Sequence, residues 1–291
     1  MKDKISSYPY ITSYTFMYEI CDHFLIGGYD TEYVLNLNNE RELIPNNVKN
    51  GDFIFIKTDL LMLFINNYLP KINNNFNIIT GRSDYTIDDK YYNLLENEKL
   101  IKMYSVNTVI EHYKLVTIPL GIQNLNWRFD NNPQSNHRLI DNVNSEHLDI
   151  KGDILMSFQI HTNSKIRQDL YNRFKDVEFV KIRNFTNNER NDVEFVKEYF
   201  REIKSHKFVL CPWGNGYDCH RNWETLYLGS IPIIKRHISF NSFEDLPIWF
   251  VDDWGEVNNN TINDKYHEIK NKKYNFDKIY FDFWKKNMIN G

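Results

Sequence analysis

The chain has little cysteine, no excess of either charge, no long apolar run and none of the common nucleotide-binding glycine signatures. Only three cysteines, Cys21, Cys211 and Cys219, occur in 291 residues. An odd, scattered set does not build a disulfide framework, so a reducing compartment is expected and the thiols read as small core hydrophobes. Thirty-five Lys and Arg against 39 Asp and Glu leave a net charge of −4, which offers no attraction to nucleic acid or an anionic membrane. The most apolar segment, FIFIKTDLLMLFI, is broken by Lys57 and Asp59 and is too short to span a bilayer. The opening MKDKISSYPYITSY lacks the apolar centre of a secretory signal. Without such a signal the sequons at Asn184 and Asn259 read as accidental. Gly-x-Gly-x-x-Gly, the P-loop and Cys-x-x-Cys are all absent, which removes nicotinamide enzymes, P-loop NTPases and the simplest zinc sites.

What remains is a globular composition, 42 % hydrophobic, with aromatics raised to 15 %. The first half alternates apolar runs with helical periodicity. Strands are expected at 52–57, 77–80, 102–106 and 115–118, and a helix at 58–69 closed by Pro70. The second half repeats the pattern. Strands are expected at 153–158, 177–182, 208–211 and 247–251, with helices at 164–175 and 192–205 and a helical tail after Asn263. Strands separated by helices imply parallel sheets. The proline-containing, apolar-poor stretch between them reads as a linker. The expected organisation is one domain at 1–125, a linker at 126–151, a second domain at 152–262 and a C-terminal helical segment at 263–291.

The densest chemistry lies in KFVLCPWGNGYDCHRNWETLYLGSIPIIKR, residues 207–236. It reads as strand, glycine loop, helix, small-residue turn and second strand. Such a unit offers backbone N–H groups and a helix N-terminus to an anion. At about 100° per residue, His220, Arg221 and Glu224 share one face of the helix, and Cys219, Trp223 and Leu226 the other. Asp218 is placed to cap the helix, and Gly214 and Gly216 let the backbone approach a ligand. His220 and Arg221 suit phosphate oxygens, and Glu224 suits ribose hydroxyls. A solvated helix face with an Arg–Glu pair is the plainer alternative. A second phosphate candidate is the loop at 159–164, with His161, Thr162, Asn163 and Arg167; a simple helix cap with a surface arginine would look the same. In NIITGRSDYT, Asp84 follows a buried strand and could be a general base, or only the former of an Asx-turn. Arg82 could touch substrate or pair with Asp84. Asp252-Asp253 is an acidic pair without metal-binding spacing.

The 207–236 stretch resembles the donor-binding region of exostosin-like glycosyltransferases, and looks closest to small soluble xylosyltransferase-like members encoded by large DNA viruses, chlorella viruses among them. FIFIKTDLL, NIITGRSDYT and KLVTIPLGI look like that group's N-terminal blocks. The resemblance implies an α/β GT-B architecture: two Rossmann-like domains facing across a cleft, with the C-terminal helix crossing back to the first. It implies a donor site on Gly214, Asn215, Gly216, Asp218, His220, Arg221 and Glu224, with Thr162, Asn163 and Arg167 beside it. It implies Asp84 as base and Arg82, Ser83 and Tyr85 around the acceptor. The expected function is transfer of a sugar, xylose as the first guess, from a UDP-sugar to a glycan hydroxyl. The reaction would be inverting, with no resident cofactor and no metal required, and with no nucleic-acid or membrane partner. The location would be cytoplasmic, in a host cell if the source is a virus. A metal-dependent transferase using Asp252 and Asp253, and a non-catalytic nucleotide- or sugar-binding module, are the competing readings.

Overall fold

In a computed structural model, residues 8–27, 41–123, 136–186, 189 and 192–290 are described. They form two compact units, one on Ser13–Leu120 and the other on Gly121–Gly291 with the short segment 8–12.

The first unit is a five-stranded parallel sheet in the order β1 (His23–Leu25), β2 (Asp52–Lys57), β3 (Phe76–Gly81), β4 (Leu100–Ser105), β5 (Leu115–Thr117). The alternation of apolar runs and helices dictates parallel pairing. β2 and β3 are buried on both faces, as a covered parallel sheet requires. Ile54, Ile56, Ile78 and Met103 join one core with Leu61, Phe64, Leu94 and Leu95. The intervening Phe53, Phe55, Ile79 and Tyr104 are buried too. The helix expected at 58–69 is a broken helical run over 58–71 that passes through 3-10, α and π geometry. β1 and the helix α1 (Ser13–Ile20) were not anticipated. β1 is too short for its period to register, and α1 is mostly buried, so it lacks a polar face.

The second unit is another five-stranded parallel sheet, with the order β10 (Trp249–Val251), β9 (Ile231–Lys235), β8 (His206–Leu210), β6 (Gly152–Met156), β7 (Val180–Ile182). Here the order reverses between β6 and β8. In the first unit it runs straight through, so the reversal expected of a Rossmann-like domain belongs to the second unit only, among the described residues.

The linker expected at 126–151 is a helix in its later part, α2 (Asn136–Ser145); 124–135 lie outside the described residues. Leu139, Ile140 and Val143 bury one side of α2 against α4 (Val193–Lys204). Lys204 Nζ donates to the carbonyls of Val143, Asn144 and Glu146, a cation on the open carbonyls of a helix end. Arg201 grips Glu146 with two bonds of 2.7 Å. Between α2 and α4 runs α3 (Ser164–Phe174), and α5 (His220–Tyr227) follows β8. The tail forms α6 (Asn259–Asn271) and α7 (Phe281–Asn290). α7 is fastened to the 8–12 segment of the same unit: Phe281 N–H donates to Pro9 O, and the Tyr8 hydroxyl to Asp282. The Tyr227 hydroxyl at the end of α5 accepts from Ile11 N–H and donates to Ile279 O.

Of the three glycines with left-handed backbone among the described residues, Gly229 and Gly121 have it for different reasons. Gly229, at φ 79°, ends α5: its N–H reaches Leu226 O, and Ser230 N–H reaches Thr225 O, the paired bonds of a Schellman cap. Gly121, at φ 70°, lies where the chain enters the second unit, and a Cβ there would stand 2.0 Å from Ile11 O. Gly229→Ala, with nothing within 4 Å of its added Cβ, is expected to cost about 1–2 kcal/mol. Gly121→Ala must also push backbone apart and is expected to cost about 3–5 kcal/mol. Urea denaturation of the two variants checks the order.

Candidate functional site

Ligands of open parallel sheets sit outside the carboxyl ends of the strands where the order reverses. In the second unit that place is between β6 and β8. Two loops leave there, 157–163 after β6 and 211–219 after β8, and they carry most of the residues singled out from the sequence.

Arg167, in the first turn of α3, ties the loops together. It is buried, and its guanidinium donates to Trp213 O at 2.8 Å, Pro212 O at 3.1 Å, Gln159 O at 2.9 Å and the Thr162 hydroxyl. A planar fork can serve four acceptors at once where a lysine cannot. Asn163 caps α3, and its amide donates to Gly214 O at 3.0 Å. The Thr162 hydroxyl also donates to Gln159 O. The plainer reading of this loop, an ordinary cap with a surface arginine, fails for Arg167, which is interior.

Gly214 owes its identity to this clip. A Cβ there would come 3.0 Å from Arg167 Nη2. The loop then turns tightly, Gly214 N–H to Gly216 O at 3.0 Å, leaving Asn215 exposed at the tip and Gly216 buried. Asp218 is not the helix cap: the cap position belongs to Cys219, which makes no side-chain cap bond. The buried Asp218 carboxylate instead accepts from the Trp223 indole and the Asn222 amide, at 2.8–2.9 Å. An indole N–H brought into the core needs an acceptor, and Asp218 is the one within reach.

The face expected to carry His220, Arg221 and Glu224 is present but only partly solvated, with Glu224 buried. His220 Nδ1 donates to Gly121 O at 2.8 Å, which leaves Nε2 the acceptor nitrogen when the ring is neutral. Glu224 is only 4 % exposed and accepts from the Tyr199 hydroxyl at 3.4 Å. Nε and Nη1 of Arg221 are buried and meet no hydrogen-bond partner among the described residues. No Arg221–Glu224 ion pair forms, so the surface-pair alternative is excluded. Burial works against the Arg221 charge; nearby Tyr199, Cys219, Cys211 and Glu224 outweigh it and hold its pKa above the ordinary arginine value. Both arginines approach Phe158, its ring centroid 5.6 Å from the Arg167 guanidinium carbon and 5.9 Å from that of Arg221. Sequence reading placed Phe158 at the end of the strand expected at 153–158 and gave it no role; it lies two residues past β6. Sequence reading also missed the ring cluster of Trp213, Tyr217 and His237 at the ends of β8 and β9. Cys211 and Cys219 are free, with burial raising both thiol pKa values, so both are protonated at neutral pH.

Asp252 pairs with Arg236 at 3.3 Å. Asp253 forms a capping box with Glu256 and lies 3.9 Å from Arg173. Among the described residues no three His, Cys, Asp or Glu side chains gather as a metal site would require.

The first-unit candidates follow β3. Asp84 is exposed. Arg82 has left-handed backbone, φ 59°, and its guanidinium lies 4.2 Å from the Tyr14 ring centroid. Ser83 Oγ accepts from Tyr85 N–H at 3.1 Å, so a turn bond comes from the serine, and Tyr85 is 60 % exposed.

Residues 157–288 match the family model of the RXYLT1 C-terminal domain. The match covers less than half of the chain but includes every second-unit residue singled out from the sequence. Among solved structures, an alpha1,3-fucosyltransferase is similar at 13 % identity and a TM-score of 0.44, over 88 % of this chain and 80 % of that one. A glycosyltransferase from Rickettsia africae ESF-5 is similar at 9 % identity and a TM-score of 0.39, over 92 % and 90 %. No curated protein matches the sequence. Among the described residues no helix is long and apolar enough to cross a membrane.

The two arginines separate by experiment. Arg167→Lys leaves carbonyls unserved and is expected to cost about 2–4 kcal/mol in urea unfolding. Arg221→Lys gives up no bond at Nε or Nη1 and is expected to change stability by under about 1 kcal/mol.

Proposed function

We propose that the protein is a glycosyltransferase that takes a nucleotide-sugar on its second unit and passes the sugar to a hydroxyl of a glycan acceptor held by the first, in the GT-B arrangement expected from the sequence. One observation carries the donor half of this reading. Arg221 keeps two buried nitrogens, Nε and Nη1, without acceptors among the described residues, at the first turn of a helix, beside the strand-order reversal of a parallel sheet. Leaving such donors unsatisfied costs about 1–3 kcal/mol, and the oxygens of a diphosphate would satisfy them. The RXYLT1 match over the same residues favours a sugar nucleotide over a bare nucleotide. UDP is the nucleotide we name, and xylose, on the family resemblance, the sugar.

In the mechanism Asp84 takes the proton of the acceptor hydroxyl. The oxygen attacks the anomeric carbon from the side opposite the nucleotide, and the bond from that carbon to the diphosphate oxygen breaks with inversion. The pair of electrons leaves with the diphosphate. Arg221 and the N-terminus of α5 stabilise that charge, with His220 beside them. Arg167, with its donors on carbonyls, positions the loops. Gly214, Asn215 and Gly216 set the turn that faces the ligand, Asp218 anchors the start of α5, and Glu224 supplies a carboxylate for the ribose hydroxyls. Arg82, Ser83 and Tyr85 flank the acceptor. No metal ion is needed in this scheme, because the cationic side chain and helix dipole do its work.

Asp84→Asn is expected to lower transfer by about 10²–10⁴-fold while UDP binding stays unchanged; full transfer by this variant would remove Asp84 from the mechanism. Unchanged binding in a protein that never transfers sugar would favour a binding module. Activity is expected to survive a chelator, and its loss there would restore the metal-dependent reading.

A further inference from the structure

The loop after β8, which leads into Arg221 on α5, and the residues just past β9 carry an aromatic cluster that the mechanism above does not use. Tyr217 and His237 are stacked, with ring centroids 3.7 Å apart and planes 11° from parallel. Trp213 meets Tyr217 at 4.8 Å and His237 at 5.0 Å, edge-on in both cases. A ring lying over one end of the stack would be much nearer one partner than the other. The near-equal distances therefore put Trp213 alongside the stack, leaving its outer ring faces uncovered by Trp213. All three side chains are partly exposed, whereas the aromatics of the sheet core are buried.

Two N–H donors of this cluster also meet no acceptor among the described residues. The His237 ring occupies a helix-cap position, and its Nδ1 accepts from Ser239 N–H at 3.3 Å. An accepting Nδ1 carries no hydrogen, so in the neutral ring the hydrogen is on Nε2. Burial lowers the His237 pKa, which favours that neutral ring. Nε2 meets no acceptor among the described residues. Trp213 Nε1–H is buried and likewise meets none. An indole N–H with no acceptor is uncommon in a finished core, and a bound molecule with oxygen acceptors would account for it.

Position links the cluster to the anion seat. The carbonyl of Trp213 is the one gripped by Arg167 Nε, and Trp213 and Tyr217 flank the Gly214–Gly216 turn. A flat ring surface, two N–H donors and Arg221 at the end of the same loop match the three parts of a nucleoside diphosphate: a planar base, its ring carbonyls and its phosphates.

We infer that the Tyr217–His237 stack, with Trp213 at its side, is the nucleobase platform of the donor site, receiving a carbonyl-bearing base such as uracil. The inference rests on the donor reading above and names the residues that read the base.

Isothermal titration of the full chain with pyrophosphate, UDP and UDP-xylose tests it. In Tyr217→Ala and His237→Ala, UDP affinity is expected to fall about ten- to a hundredfold, the range of one lost base–aromatic stack, while pyrophosphate affinity holds. His237→Phe keeps a ring in the stack without its Nε2–H, guards against a folding artefact, and is expected to lose less than His237→Ala. UDP binding that is unchanged overturns the inference. So does an equal loss for pyrophosphate, or a loss confined to UDP-xylose, which would place the rings under the sugar. Wild-type protein that binds pyrophosphate but UDP no more tightly overturns the base platform alone. Wild-type protein that binds none of the three overturns the donor site with it.

Discussion

The second unit depends on one guanidinium. Arg167 holds the loop after β6 and the loop after β8 by four acceptors, three of them backbone carbonyls. Loops at a strand-order reversal diverge, because the chain leaves the two strands toward opposite sides of the sheet. Without a clip their carbonyls would need water, and the crevice between them would be ill defined. A charge-assisted fork inside the protein is worth more per bond than a neutral pair, and its planarity fixes both loops in one geometry. The identity of Gly214 follows from the same clip, since any larger residue crowds Arg167 Nη2.

Because Arg167 is committed to carbonyls, the roles of the two arginines divide. Arg167 builds the crevice and Arg221 is left to meet what enters it. Both guanidinium groups lie over the Phe158 ring, whose electron-rich face attracts a cation. This arrangement is poor for the stability of the empty protein. A partly buried cation with buried donors unserved among the described residues, and the buried Glu224 carboxylate near it, are features that folding alone would replace with apolar side chains. Sites built for ligands carry such costs, and the surrounding core offsets them.

The helical face of His220, Arg221 and Glu224 was legible in the sequence because residue spacing fixes which side chains share a side. Its burial was not, because spacing says nothing about what lies opposite. Parallel pairing was legible from the alternation of strands and helices, whereas strand order was not, since nothing local records which strand is neighbour to which. Asp218 looked like a cap because it precedes a helix; the Trp223 indole, five residues on, is the stronger claimant, and an apolar assignment for Trp223 hid its polar edge. α2 was obscured by a polar surrounding in which only Leu139, Ile140 and Val143 mark a buried side. Arg167 stood out only as a charge one turn into a helix, since its acceptors are carbonyls, two of them more than forty residues away, and carbonyls leave no trace in side-chain sequence.

The two sheets solve different problems. A sheet whose order runs straight, as in the first unit, has no reversal to open a crevice, so any ligand contact there must come from the loops at its strand ends. Those loops are where the first unit departs from relaxed backbone. Arg82 follows β3 directly and Asn107 comes two residues after β4, and both non-glycine residues adopt left-handed φ, 59° and 55°. Such a conformation costs about 1–2 kcal/mol for most residues and less for asparagine. β3 and β4 are neighbours, so the two departures fall at the same edge, and Asp84 is two residues beyond the first of them. Strain of this kind persists only where surrounding structure enforces it, and it concentrates at functional sites. The second unit thus draws its crevice from topology and the first its candidate surface from bent strand ends, which is why the second unit's candidate residues form a bonded network while Asp84 stands exposed on a turn.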